Sequence, residues 1–257
     1  MIAALPMYDR PENAAAHDAL WSLIRDGLRA RGVAAPEALD RTTGLWDAWL
    51  DPDLVLGQVC NLPWRSRLRG RLRLVGASDY GLPGAPPGHY YSVFVVRRGD
   101  DPDPEAHLGR RFAYNEGLSH SGWGAPQIWA AERGSRFSAT LATGAHRESA
   151  RAVAEGRADI AAIDAVTWRM LERWEPFVTG LSVIGRTGTA PGQSFATAAA
   201  DPAPHLEAVT EAVAALDPAS REVLGLRGVH ALPEDAYTGL PPAPVPRPAA
   251  SREAATG

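Results

Sequence analysis

Short apolar runs alternate with amphipathic stretches along this chain, first over residues 2–75 and again over 112–185. Strand–helix–strand units of this kind fold into sheets with helices on their faces. Residues 2–5 form an apolar run ended by Pro6, as in a buried parallel strand. Leu20, Leu23, Ile24 and Leu28 recur at helical spacing within 13–31, and Gly32 ends that stretch. Residues 45–50 suit a short helix, 54–60 a strand running into a polar turn at Asn61, and 71–75 a strand alternating at period two. A Gly/Pro-rich loop over 81–88 leads to 90–96, the strongest strand in the chain, and then to a charged turn over 97–104. The second series predicts strands at Phe112 and over 137–141, 160–163 and 181–185. Its helices start near Trp123 and span 148–155 and 166–174. A turn-rich link over 186–191 and a helix over 205–216 follow.

The fold class expected is α/β, with two lobes, each a mostly parallel sheet flanked by helices. Strands crossing near 90–96 and 184–189 would form a two-strand hinge over a cleft. Lobe 1 takes residues 1–90 and 188–240, lobe 2 is inserted as 91–187, and the Pro/Ala-rich stretch 241–257 is expected to be a disordered tail. With 257 residues and 45% hydrophobic content, the chain has ample material for such cores.

The stretch with the clearest chemistry is Asn115 to Pro126, placed between a strand and a helix. A helix N-terminus has unpartnered amides and the positive end of the macrodipole. Ser119 and Ser121 add hydroxyl donors, and Gly122 admits a ligand close to the backbone. This reads as an anion grip. The structural alternative is equally open at this point: Ser121 as an N-cap and Gly122 as turn punctuation. Neither the Walker pattern nor the GxGxxG fingerprint occurs, and all 26 basic residues are arginine. A net charge of −4 argues against nucleic acid as a partner. Cys60 is the only cysteine and the seven histidines are scattered, so no metal or cofactor is expected.

Two segments carry a family resemblance. Ser119-His120-Ser121-Gly122-Trp123-Gly124-Ala125-Pro126 resembles an S-T-S-G-aromatic-x-x-P segment. Residues 144–164 follow G-x-H-x-x-S-x-x-A-V-x-x-G-x-x-D-x-A-x-x-D, with His146, Ser149, Asp159 and Asp164 at the fixed positions. Residues 54–64 add an apolar strand, a polar turn and a Pro-aromatic pair. Together they resemble the phosphonate-binding (PhnD-like) family of ABC-importer substrate-binding proteins, with a type II periplasmic-binding-protein fold.

The resemblance implies that Ser119, Ser121 and the amides around Gly122 and Trp123 hold phosphonate or phosphate oxygens. His146 and Ser149 would line the same cleft, and Asp164 would meet a cationic group or a protonated phosphoryl oxygen. Asn115 and His120, the latter in place of the family's threonine, complete that side. Tyr8, Asp9, Gln58, Cys60 and Asn61 lie at strand ends, where open α/β sheets receive ligands. The implied role is non-catalytic capture of a phosphorus oxyanion (phosphonate, phosphite, phosphate or phosphate ester). An importer permease is the implied macromolecular partner, and the chain itself is expected to be a monomer or weak dimer. The family works in the periplasm, yet the first nine residues carry no basic leader, cleavage site or lipid-anchor cysteine, so the chain as written reads as cytoplasmic.

The alternative is a cytoplasmic enzyme or sensor on the same fold, acting on a small phosphorylated or nitrogenous metabolite. A Ser-His hydrolase is disfavoured, since no GxSxG elbow occurs. Cys60 reads as a small buried residue. Trp21, Trp168 and Trp174 read as core, whereas Trp64 and Trp123 flank the expected cleft.

Overall fold

The computed structural model describes residues 1–246. In chain order its strands begin with β1 (Ile2–Ala4), β2 (Leu54–Val59), β3 (Arg73–Asp79), β4 (His89–Tyr90), β5 (Ser92–Arg97) and β6 (Phe112–Tyr114). They continue with β7 (Thr140–Ala142), β8 (Ile160–Asp164), β9 (Leu181–Arg186), β10 (Ala190–Pro191), β11 (Ser194–Thr197) and β12 (Gly228–His230). The helices are α1 (Ala14–Ala30), α2 (Leu45–Leu50), α3 (Asn61–Pro63), α4 (Ala125–Ala131) and α5 (His146–Ala154). After them come α6 (Ala165–Trp174), α7 (Ala203–Ala215), α8 (Pro218–Leu224) and α9 (Glu234–Thr238). No helix among the described residues is long and apolar enough to cross a membrane.

The chain divides into two compact units. Unit 1 comprises Met1–Tyr91, Ala165–Met170 and Thr189–Leu240. Unit 2 comprises Ser92–Asp164, Leu171–Gly188 and the described residues from Pro241 onward.

Unit 1 is built on a five-stranded sheet of order β1-β2-β11-β3-β12. Leu20, Ile24 and Leu28 are buried in α1 as their spacing predicts, together with Trp21, whereas Leu23 of the same expected stripe is exposed. Each such side chain contributes roughly 1.5–3 kcal/mol when fully buried. Trp49, Leu54, Leu68, Leu72 and Tyr237 share one core cluster. The loop between β1 and α1 is held by Asn13. Its amide nitrogen donates to the Tyr8 carbonyl at 3.0 Å and its Oδ1 accepts from the Arg10 amide at 2.8 Å.

Unit 2 has a sheet of order β7-β6-β8-β5-β9. Its core is aromatic: Phe112 stacks on Phe137 with centroids 4.4 Å apart, and Phe94 meets Trp129 at 4.7 Å. Phe137 was expected to start a strand, but the strand begins at Thr140 and Phe137 is a buried anchor ahead of it.

Both sheets are mixed, which corrects the expectation of mostly parallel strands. The pairs β1/β2, β6/β7 and β6/β8 are parallel, whereas β5 runs antiparallel to β8 and β9, and β11 runs antiparallel to β2 and β3. A parallel neighbour needs a crossover connection, usually a helix. The strands β5 and β11 follow passages of the chain from one unit to the other and are free of that requirement.

Of the expected tail, 241–257, the structure describes only residues 241–246. Residues 241–246 lie on unit 2, where Ala243 packs against the Phe94–Trp123–Phe137 cluster. Residues 247–257, the remainder of that expectation, lie outside the described residues.

Candidate functional site

The grip segment is assembled within unit 2. The strand β6 ends at Tyr114, and the loop after it reaches Ser119, the N-cap of a π-helical turn, His120–Gly124, that continues into α4. Gly124 donates its amide to the Ser119 carbonyl five residues back, at 3.0 Å. Turns of this type occur often at functional sites.

The cap itself is Ser119, whose Oγ accepts the Gly122 amide at 3.0 Å. The reading of Ser121 as the N-cap is therefore corrected, and the Ser121 hydroxyl is released for other use. It lies 3.2 Å from Ser119 Oγ and 2.8 Å from His146 Nε2. Behind it, Ser92 Oγ donates to the Ser121 carbonyl at 2.9 Å.

His146 arrives here because the residues ahead of α5 are tied to the end of β6. The Thr143 and Gly144 amides both donate at 2.9 Å, to the Tyr114 and Asn115 carbonyls. Gly122 is required by the same crowding: a Cβ there would stand 1.9 Å from Asn115 Oδ1 and 3.2 Å from His146 Cε1.

The electrostatics are those of a largely neutral cradle. Burial holds the His146 imidazole at about 4, with the Ala162 backbone pulling weakly the other way, so the ring is neutral at pH 7. Asn115 Oδ1 is buried without a hydrogen-bond partner among the described residues. Such an atom is costly unless a ligand or water satisfies it. Burial also pushes the neighbouring Glu116 carboxyl up. Asp164 is buried at the end of β8 and stands in register with Ser92.

The other expected residues fall out differently. His120 is the buried first residue of the π-turn. Trp123 is a wall: its ring lies 4.7 Å from Tyr114, and its Nε1–H donates to the Pro244 carbonyl at 2.5 Å. Ser149 is fully buried and bonded to Thr143 Oγ1 at 2.7 Å and to the Ala145 carbonyl at 3.2 Å, so it packs the start of α5.

In unit 1, Gln58 donates to Ser78 Oγ at 3.2 Å and leaves its Oε1 unpartnered, and both amide atoms of Asn61 are buried without partners among the described residues. These two side chains hold the unsatisfied polar atoms at the end of β2. Cys60 between them is buried. Tyr8 packs edge-on against Tyr80, with centroids 5.0 Å apart. Asp9 is already engaged: Arg41 Nε donates to it at 2.7 Å and His17 Nδ1 stands 3.7 Å away. Burial lowers the pKa of that histidine despite the carboxylate.

Sequence reasoning missed Ser92 and the Pro244 carbonyl. The first was submerged in a strong strand pattern, and the second lies in a stretch whose composition signals disorder.

Two mixed α/β units, one of them bringing serine hydroxyls beside an unsatisfied buried amide oxygen, suit a small-solute binding protein. Residues 73–234 match the profile of the phosphonate periplasmic substrate-binding protein of ABC transporters, and the chain belongs to that family. Among solved structures it is similar to the binding-protein component of an ABC phosphonate transporter from Pseudomonas aeruginosa. That likeness has a TM-score of 0.67 at 16% identity, over 93% of this chain and 83% of the other. Similar too is PhnD1 from Prochlorococcus marinus in complex with methylphosphonate, with a TM-score of 0.67 at 16% identity over 93% and 94% of the two chains. XAC2383 from Xanthomonas citri, bound to chloride ion, gives a TM-score of 0.66 at 19% identity over 93% and 96%. No curated protein sequence matches the chain. The fold is accordingly the two-lobed type II periplasmic-binding-protein fold, and the role is solute binding for ABC transport.

Proposed function

We propose that this chain captures a small phosphorus oxyanion and releases it unaltered to an ABC importer. The observation that carries the reading is the convergence of Ser119, Ser121 and His146 at one helix start, beside the unsatisfied Asn115 Oδ1. Hydroxyl donors are suited to a compact oxyanion, whereas the Gly122, Trp123 and Gly124 amides, expected to hold ligand oxygens, already donate to Ser119. Asn115 Oδ1, an acceptor, suits a protonated oxygen of the same ligand. Methylphosphonate in the similar PhnD1 structure supports this ligand class.

In this reading Ser119, His120, Ser121, Gly122, Trp123 and His146 form the oxyanion side, and Asp164 reads a cationic or protonated substituent. Within unit 1, Tyr8, Gln58 and Asn61 are the candidates for ligand contact, with Asp9 held in its ion pair with Arg41. A permease is the macromolecular partner, and the chain works as a monomer or weak dimer.

The Ser121–His146 pair has the spacing of a nucleophile and its base, 2.8 Å. An imidazole held at about 4 is nevertheless a weak base at neutral pH. Binding without turnover is therefore favoured. Isothermal titration with methylphosphonate, phosphite, phosphate and sulfate tests the reading, with 31P NMR of the recovered ligand. Each hydroxyl bonded to a charged ligand contributes about 1.5–3 kcal/mol, so Ser119→Ala with Ser121→Ala weakens binding by at least about 100-fold. Unchanged affinity in the double variant, or a chemically altered ligand, overturns the proposal.

A further inference from the structure

The chain passes from unit 1 to unit 2 after Leu240, within the sequence Leu240-Pro241-Pro242-Ala243-Pro244-Val245-Pro246. Proline at alternate positions fixes φ and favours the polyproline II helix, which has three residues per turn. The burial follows that period: Ala243 and Pro246, three apart, are half-buried, whereas Pro244 and Val245 between them are exposed, Val245 to 87%.

Besides the packing of Ala243, contacts along its length hold the segment. The Leu240 carbonyl, at its start, accepts from Arg65 Nη1 at 2.6 Å. The Pro244 carbonyl accepts from the Trp123 indole at 2.5 Å. Pro246 lies so close over Gly117 that a Cβ on that glycine would stand 2.5 Å from the proline Cγ. An indole donor aimed at a carbonyl of a proline-rich segment, in an aromatic-lined groove, is a recurring mode of polyproline recognition.

We propose that unit 2 carries a polyproline-binding groove, lined by Gly117, Trp123, Gln127 and Phe137, and that residues 241–246 occupy it in cis as a latch on the anion grip. The latch touches both flanks of the grip, Gly117 before Ser119 and Trp123 after Ser121. A π-helical turn has less regular hydrogen bonding than an α-helix, and its geometry depends on its surroundings. Fixing the indole from outside holds the Ser119–Ser121–Gly122 arrangement in its binding form. The cis arrangement needs no second molecule, since the tether supplies a high local concentration.

Hydrogen exchange at residues 120–124 tests the latch in three chains: full length, ended after Pro246, and ended after Leu240. The first two exchange alike, and the third exchanges faster by about tenfold or more, as expected for a lowered local opening free energy. A synthetic Leu-Pro-Pro-Ala-Pro-Val-Pro-Arg peptide restores protection to the shortest chain and does nothing to the full chain. Trp123→Phe abolishes that rescue. Equal exchange in all three chains overturns the proposal, as does peptide rescue that persists in Trp123→Phe. If the chain ended after Leu240 does not fold by circular dichroism, the full-length variant Pro244→Gly with Pro246→Gly takes its place with the same two outcomes.

Methylphosphonate affinity in the same chains rests on the proposed anion binding, and the exchange arm does not. The chain ended after Leu240 binds methylphosphonate about threefold or more weakly than full length, a loss of about 0.7 kcal/mol. Equal affinity overturns the latch's effect on the grip. Absence of methylphosphonate binding in every chain overturns the ligand assignment, while the latch is decided by exchange alone.

Discussion

Acidification gives a direct test of the buried imidazole at the centre of the grip. In the unfolded chain His146 takes up a proton near its ordinary value of 6.5, whereas in the folded protein burial defers protonation to about 4. A base whose folded pKa is depressed contributes stability that is fully present above the unfolded value and is lost as pH falls towards the folded one. Each pH unit within that window removes about 1.4 kcal/mol, so the whole interval from 6.5 to about 4 removes about 3 kcal/mol. The ring nitrogen Nδ1 is closed to solvent, but the residue as a whole is only half-buried, which makes about 3 kcal/mol a ceiling. The assay is urea unfolding at pH 7.5, 6, 5 and 4.5 for the wild type and His146→Gln. Burial also depresses the imidazoles of His17 and His205. Their contribution is common to the two proteins and cancels in the difference. The wild type loses up to about 3 kcal/mol more than the variant between pH 7.5 and 4.5. Parallel stability curves would refute the claim that burial keeps His146 neutral.

Two substitutions probe the framework around it. Gly122→Ala drives a methyl group into Asn115 Oδ1, so the asparagine swings away. Overpacking of this kind costs about 1–3 kcal/mol in urea unfolding, and methylphosphonate affinity falls with it. Gln127→Ala removes a side chain that donates to the Phe137 carbonyl at 2.9 Å and accepts the Phe137 amide at 3.2 Å. Two buried backbone groups then lose their partner at about 1–3 kcal/mol each, and a melting temperature within a degree of wild type would contradict the assignment.

How much of this was legible before the structure depends on whether a feature is local in sequence. The α1 stripe and the β5 strand follow from periodicity and stand where it puts them. The candidate segment was legible because Asn115 to Trp123 is contiguous, and His146, which the structure places 2.8 Å from Ser121, because its spacing to Asp164 forms a motif of its own. The strand β11, central in its sheet, was missed because Ser194–Thr197 is four residues of mixed character with no period to read. Asp9 was read as a ligand contact at a strand end, yet its carboxylate is committed to Arg41, a partner distant in sequence that no local pattern announces. The placement of residues 241–246 was missed for a related reason. Composition reports that Pro-rich sequence builds no core, but it does not report that a ready-made indole donor awaits its carbonyl.

The direction of the hydroxyl chain leads to a last prediction. Ser119 Oγ already accepts the Gly122 amide, so its own proton is free to point outward to an anion or across to Ser121. For Ser121 the outcome is set by His146. If Nε2 carries no proton, it accepts the Ser121 hydroxyl and turns that hydroxyl away from an oxyanion. If Nε2 carries a proton, it donates to Ser121 Oγ, and the Ser121 proton is released to the ligand. Both serines then work alike, each receiving a hydrogen bond from behind and passing one forward. Anion binding therefore selects the state in which His146 Nε2 is protonated, whether by a change of tautomer or by proton uptake from solvent. The 15N shifts of the imidazole, followed during a methylphosphonate titration, read this directly. Movement of the Nε2 resonance to the protonated range on saturation supports the two-donor grip. A ligand-saturated protein whose Nε2 stays unprotonated would leave Ser121 pointing at the histidine, and Ser119 would then be the only serine hydroxyl delivered to the anion.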